Sequence, residues 1–134
     1  MEVLGREERE IRSDSDVVQV RHAVRAAAAD LQFSIVDQTK LVTAASEIAR
    51  NTLQYGGGGS AAIEVVRRDG RRGLRLVFED HGPGIDDIAQ ALRDGYTSGG
   101  GLGLGLGGAR RLVNEFDLQS RRGEGTRVTL IRWR

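Results

Sequence analysis

Glu47 and Asn51 stand one helical turn apart in Glu47-Ile48-Ala49-Arg50-Asn51, and a carboxylate beside an amide suits work on a metal-bound anion. The amide oxygen is a neutral ligand for Mg²⁺, while the carboxylate can orient or deprotonate a nucleophile. The same spacing also describes an exposed helix face with a glutamate at its edge. Further on, Asp80 runs into Gly82-Pro83-Gly84. There it can accept from the exocyclic amine of a purine, whose flat ring packs closely where Gly82 and Gly84 carry no side chain. It can equally cap local backbone amides at the turn. The third piece is Gly99-Gly100-Gly101-Leu102-Gly103-Leu104-Gly105-Leu106-Gly107-Gly108. Its glycines free backbone amides to turn toward phosphate oxygens, and a following helix presents its positive end to them.

Two better-known phosphate loops do not fit that stretch. No Gly-Lys-Ser/Thr is present, which excludes a Walker A loop. Gly103-x-Gly105-x-x-Gly108 satisfies the dinucleotide fingerprint, yet residues 95–99 before it are no strand and too few residues follow for a second unit.

These residues need elements to hold them. Val17, Val20, Val24, Ala27, Ala28 and Leu31 recur at helical spacing after the caps of Ser13-Asp14-Ser15-Asp16. Ser34-Ile35-Val36-Asp37 reads as a capping box for a second helix carrying Leu41, Ala45, Ile48 and Thr52 on one stripe. At about 100° per residue, Asn51 and Glu47 fall at the margin of that stripe. Residues 62–66 and 74–79 are strand candidates around an Asp69-Gly70 hairpin signal. Alternation continues the apolar row of Leu74, Leu76 and Phe78 into Asp80. Thr126 begins a similar row with Val128 and Leu130, so its hydroxyl either faces the same pocket or is satisfied by its own backbone. A short leading strand over 9–12 is expected, with a short helix over 86–94 closed by Gly95. A longer helix carries Leu106, Ala109, Leu112, Val113 and Phe116, and strands over 118–120 and 126–133 finish the chain. The sum is an α+β two-layer sandwich with helices on one face of a mixed, mostly antiparallel sheet.

The 134 residues suffice for one domain, residues 1–134. The absence of cysteine rules out disulfides and thiolate metal sites, and His22 and His81 are isolated. With no run of 18 apolar residues and no apolar leader, a cytoplasmic protein without membrane contact is expected. A net charge of +1, with arginines in short pairs near turns, does not call for nucleic acid.

Taken in order, these stretches resemble the GHKL, or Bergerat-fold, ATP-binding superfamily. Glu47 with Asn51 looks like its N box, Asp80-x-Gly82-x-Gly84-Ile85 its first glycine box, residues 99–108 its second, and Gly125-Thr126 its last. Within it, Asp94-Gly95-Tyr96-Thr97-Ser98 and Gly103-Leu104-Gly105-Leu106 before Ala109-Arg110-Arg111-Leu112 are most similar to the RsbT-type partner-switching serine/threonine kinases. The resemblance implies ATP/ADP and Mg²⁺ as ligands, a STAS-domain scaffold or antagonist protein as substrate, and a PP2C-type phosphatase activated afterwards. It implies Asn51 on the metal and Glu47 as base. Asp80, Gly82, Gly84, Ile85 and Thr126 would hold the nucleoside, and Gly100, Gly101, Leu102, Gly103, Leu104 and Gly105 the phosphates. Two other functions fit the same site: an anti-sigma factor kinase that sequesters a sigma factor, and a non-catalytic nucleotide-gated module.

Overall fold

The computed structural model describes residues 1–93 and 105–134. Two capped helices form its upper layer. Ser13, at an extended φ of −151°, accepts from the Asp16 N–H and opens α1 (Asp14–Asp30), whose first-turn acids face the positive helix end. Ser34 accepts from the Asp37 N–H at 3.1 Å and opens α2 (Ile35–Gln54). Buried alanines, among them Ala23, Ala28, Ala44, Ala45 and Ala49, let the two helices and the sheet approach closely.

The sheet runs β1 (Glu2–Ile11), β2 (Gly59–Arg68), β3 (Arg71–Asp80), β5 (Gly125–Trp133), β4 (Glu115–Arg121) in spatial order, every adjacent pair antiparallel. Positive φ at both Asp69 and Gly70, 52° and 77°, makes the β2–β3 connection the turn whose twist matches its strands. Register then writes rows across the helix-facing side. Ile63, Leu76, Leu130 and Phe116 form one, and Ala61, Phe78, Val128 and Leu118 the next. These rows and the inner faces of α1 and α2 make the core. Beyond the apolar rows, Arg132 lies beside Leu74 at one end, and Gly59, Asp80, Thr126 and Ser120 stand side by side at the other.

Three elements differ from expectation. β1 starts at Glu2 rather than near residue 9, although all but Ile11 of it is exposed. With no apolar alternation to betray it, the strand is held by backbone pairing and by cross-strand ion pairs such as Arg67 with Glu2 and Arg6 with Glu64. Its dense charge also blunts an open edge. The helix after the glycine stretch, α4 (Gly105–Arg111), stops well before Phe116, which pairs with Leu130 in β4. Period-2 alternation of Phe116, Leu118 and Ser120 won over a helical period that Phe116 also satisfied. The short helix, α3, covers only Ile88–Ala91, capped by Asp87. Asp94 to Leu104, including Gly100, Gly101, Leu102, Gly103 and Leu104, lie outside the described residues.

Candidate functional site

A cavity of about 480 Å³ opens between α2, the polar end of the sheet and the segment that carries α3. That is within the usual range for a small-molecule site. Glu47, Asn51, Asp80, Gly84, Ile85, Gly105 and Thr126 all line it, so residues far apart in sequence converge on one space.

Asp80 anchors one end. Its Oδ1 accepts from the Gly82 N–H at 2.9 Å, and Oδ2 accepts no hydrogen bond from the described residues. One oxygen thus caps the turn, as one of the two readings of Asp80 expected, and the other leaves room for the second. Close backbone approach fixes the carboxylate. A Cβ on Gly56 would collide with the Asp80 carboxyl group, and one on Gly125 would collide with the Asp80 carbonyl. Only glycine leaves this cradle intact.

Beside Asp80 in the same row, the Thr126 hydroxyl lies 2.9 Å from that of Ser120. Ser120 accepts from the Ile85 N–H at 2.8 Å and donates to the Gly125 carbonyl at 3.1 Å. A hydroxyl has one proton. With that of Ser120 on Gly125, Thr126 donates to Ser120 and keeps its lone pairs for the cavity. The carboxylate and this hydroxyl therefore offer acceptors side by side, as an amine on a flat ring requires.

The other end is built on α2. Glu47 is buried, 7% exposed, which is deeper than its margin position suggested. Its Oε1 accepts from the Gly105 N–H at 3.0 Å and its Oε2 lies 3.5 Å from Nη1 of Arg50. Gly105, expected to turn its amide to phosphate, directs it to this carboxylate here. One turn on, half-buried Asn51 makes no side-chain hydrogen bond among the described residues. Its amide oxygen suits a hard cation.

Gly56, Ser120 and Arg50 were not among the expected ligands. Gly56 read as a helix stop. Ser120 carried the signal that exposed Asp80, a polar residue continuing an apolar alternation, but its strand was read as only three residues long.

The family of histidine kinase-like ATPase domains matches the chain over residues 12–132. The serine/threonine-protein kinase RsbT of Bacillus subtilis (strain 168) is 46% identical over 123 residues, 92% of each chain. The anti-sigma F factor of Clostridium novyi (strain NT) is 28% identical over 115 residues, 82% of this chain and 80% of the relative. Among solved structures, the RsbU and RsbW domains of a Mycobacterium tuberculosis protein superpose with a TM-score of 0.66 at 21% identity, over 97% of this chain and 33% of that one.

Proposed function

From the premise that this chain belongs to the histidine kinase-like ATPase (GHKL) family, we propose that it is an ATP-dependent serine/threonine kinase of a bacterial partner-switching pathway. Its substrate is a serine or threonine on a STAS-domain scaffold or antagonist protein, and phosphorylation releases the kinase to activate a PP2C-type phosphatase in a stressosome-type circuit. Residues 1–134 act as one domain in the cytoplasm. The observation that carries this reading is the convergence of Glu47, Asn51 and Asp80 on one cavity.

The cavity fits nucleotide on its own terms. Among the described residues, one Asp80 oxygen has no partner and stands in a cradle that any side chain at Gly56 would fill, and the unengaged Asn51 amide lies one turn from a buried carboxylate. Mg²⁺ bound with ATP would neutralise phosphate charge and polarise the transferred group. Asp80 and Thr126 orient the base, with Gly84 and Ile85 forming its seat, while Gly82, which does not line the cavity, holds Asp80 through its N–H. Asn51 gives its amide oxygen to the metal. Glu47 takes the proton of the acceptor hydroxyl on a carboxylate oxygen, and the Gly105 N–H fixes the rotamer in which it does so. Amides of residues 100–104 are assigned to the phosphates, that of Gly105 being held by Glu47.

The reading is tested by transfer of labelled phosphate from ATP to a purified STAS-domain protein with Mg²⁺. Asn51→Ala is expected to slow transfer by about 10²- to 10³-fold while leaving the fold intact. Transfer at the parent rate would remove Asn51 from the metal, and tight ATP binding without transfer would favour the nucleotide-gated module.

A further inference from the structure

Charge at the cavity is lopsided. Glu47, Asp80, Asp86 and Asp87 line it, against Arg50 as the one cationic side chain among the described lining residues. The sequence from 94 to 104 contains no lysine or arginine, and the chain's one lysine, Lys40, does not line the cavity. An ATP site has to neutralise a polyanion, and in P-loop enzymes a loop lysine helps to do so. Here neither the glycine-rich stretch nor Lys40 supplies that cation.

Arg50 is placed and loosely held for the task. It sits one turn from Glu47 and next to Asn51 on α2. Its single side-chain partner among the described residues is the Glu47 carboxylate at 3.5 Å, at the long end of ion-pair geometry, and its side chain is 45% exposed. A half-exposed, loosely paired guanidinium exchanges one anion for another at little cost. Glu47 keeps the Gly105 N–H when Arg50 leaves, so its carboxylate stays oriented.

Resting on the kinase reading above, we propose that Arg50 is a catalytic residue that moves from Glu47 to the γ-phosphoryl oxygens of ATP. In the transfer the acceptor hydroxyl oxygen bonds to the γ-phosphorus as the bond from that phosphorus to the bridging oxygen of ADP breaks. The bonding pair stays on ADP, the hydroxyl proton goes to Glu47, and the Arg50 N–H groups donate to the equatorial oxygens that carry the charge. Release of the ion pair also leaves Glu47 freer to accept that proton. A guanidinium fork matches two phosphoryl oxygens at once, which an ammonium does not.

The test compares binding of Mg²⁺-ADP and the Mg²⁺ complex of the β,γ-imido analogue of ATP by calorimetry, in the parent chain, Arg50→Ala and Arg50→Lys, together with transfer to a STAS-domain protein. Arg50→Ala is expected to lose about tenfold in affinity for the triphosphate analogue with ADP binding unchanged, and about 10²- to 10³-fold in transfer rate. Arg50→Lys should recover part of the triphosphate affinity and little of the rate. Equal loss for both nucleotides, or a rate loss with triphosphate affinity intact, would overturn the proposal and leave Arg50 a positioning residue for Glu47. A parent chain that binds neither nucleotide would instead sink the ATP site itself.

Discussion

At one end of the helix-facing side of the sheet, Arg132 bonds to Asp37 at 2.7 Å and to the Leu112 carbonyl at 2.9 Å. At the other, Asp80 gives one oxygen to Gly82 and keeps the second without a partner among the described residues. Both ends interrupt apolar rows with a charge, yet only the first is closed by the protein. Its arginine ties the first turn of α2 to β5 and to the end of α4. Even there Arg132 Nε lacks a partner among the described residues. A charge placed beside a core is thus no marker of a ligand site in itself; what marks one is the group left waiting in an open cavity.

The sharpest way to break this contrast is at the open end. Asp80→Asn places an amide where an amine must be accepted, and nucleotide affinity should fall by at least about 100-fold with the melting temperature little changed. Calorimetry beside a thermal melt reads both. Loss of stability with affinity intact would make the two ends alike. At the closed end Arg132→Met should do the reverse. It should cost about 1–2 kcal/mol in chemical denaturation, less than a fully buried pair because Asp37 retains water contact, while nucleotide affinity stays at the parent value.

Acid should find the closed end next. Hydrogen bonding from Arg132 holds the Asp37 carboxyl below the usual carboxylate range against the opposing effect of desolvation. Because the folded pKa is depressed, the stabilisation is complete above the unfolded value of about 3.9 and disappears as pH falls through the folded one. Glu115, lowered chiefly by the Trp133 indole N–H and then by Arg68, adds to the same window. Denaturation midpoints between pH 6 and 2.5 should show a shallower acid slope in Arg132→Met than in the parent. Identical slopes would mean the pair does not couple to folding.

The smallest expected effect is that of Ser120→Ala. It leaves Thr126 without its neighbour and should weaken nucleotide binding by about three- to tenfold. An unchanged affinity would mean that the Thr126 hydroxyl needs no orientation.

How far these ends could be read without coordinates follows from the range of the forces involved. Local rules found the Ser13 and Ser34 caps, the Asp69-Gly70 turn and the face on which Asp80 lies, since each depends on neighbours a few residues away. Alternation with Val128 and Leu130 offered Thr126 as a neighbour of the same pocket, one of two readings of its hydroxyl. Arg132 and Ser120 escaped because their partners are chosen by strand register between β5, β4 and α2. Most of β1, residues 2–8, escaped because an exposed, charged edge strand has no apolar period to detect. Phe116 fits two periods at once, and only its place beside Leu130 decides between them.

The order in which the sheet is threaded has a kinetic consequence. β2 and β3 are joined by a two-residue turn, whereas Asp80 meets Thr126 only after the whole α3–α4 region has been looped out and β5 has docked between β3 and β4. Hairpins close fast and long loops late. The central pair is therefore suited to seed folding, and the acceptor row of Asp80 and Thr126 to be completed near its end. A ligand that needs both residues would then slow unfolding far more than it speeds folding, so nucleotide would act on this chain as a brake on its undoing.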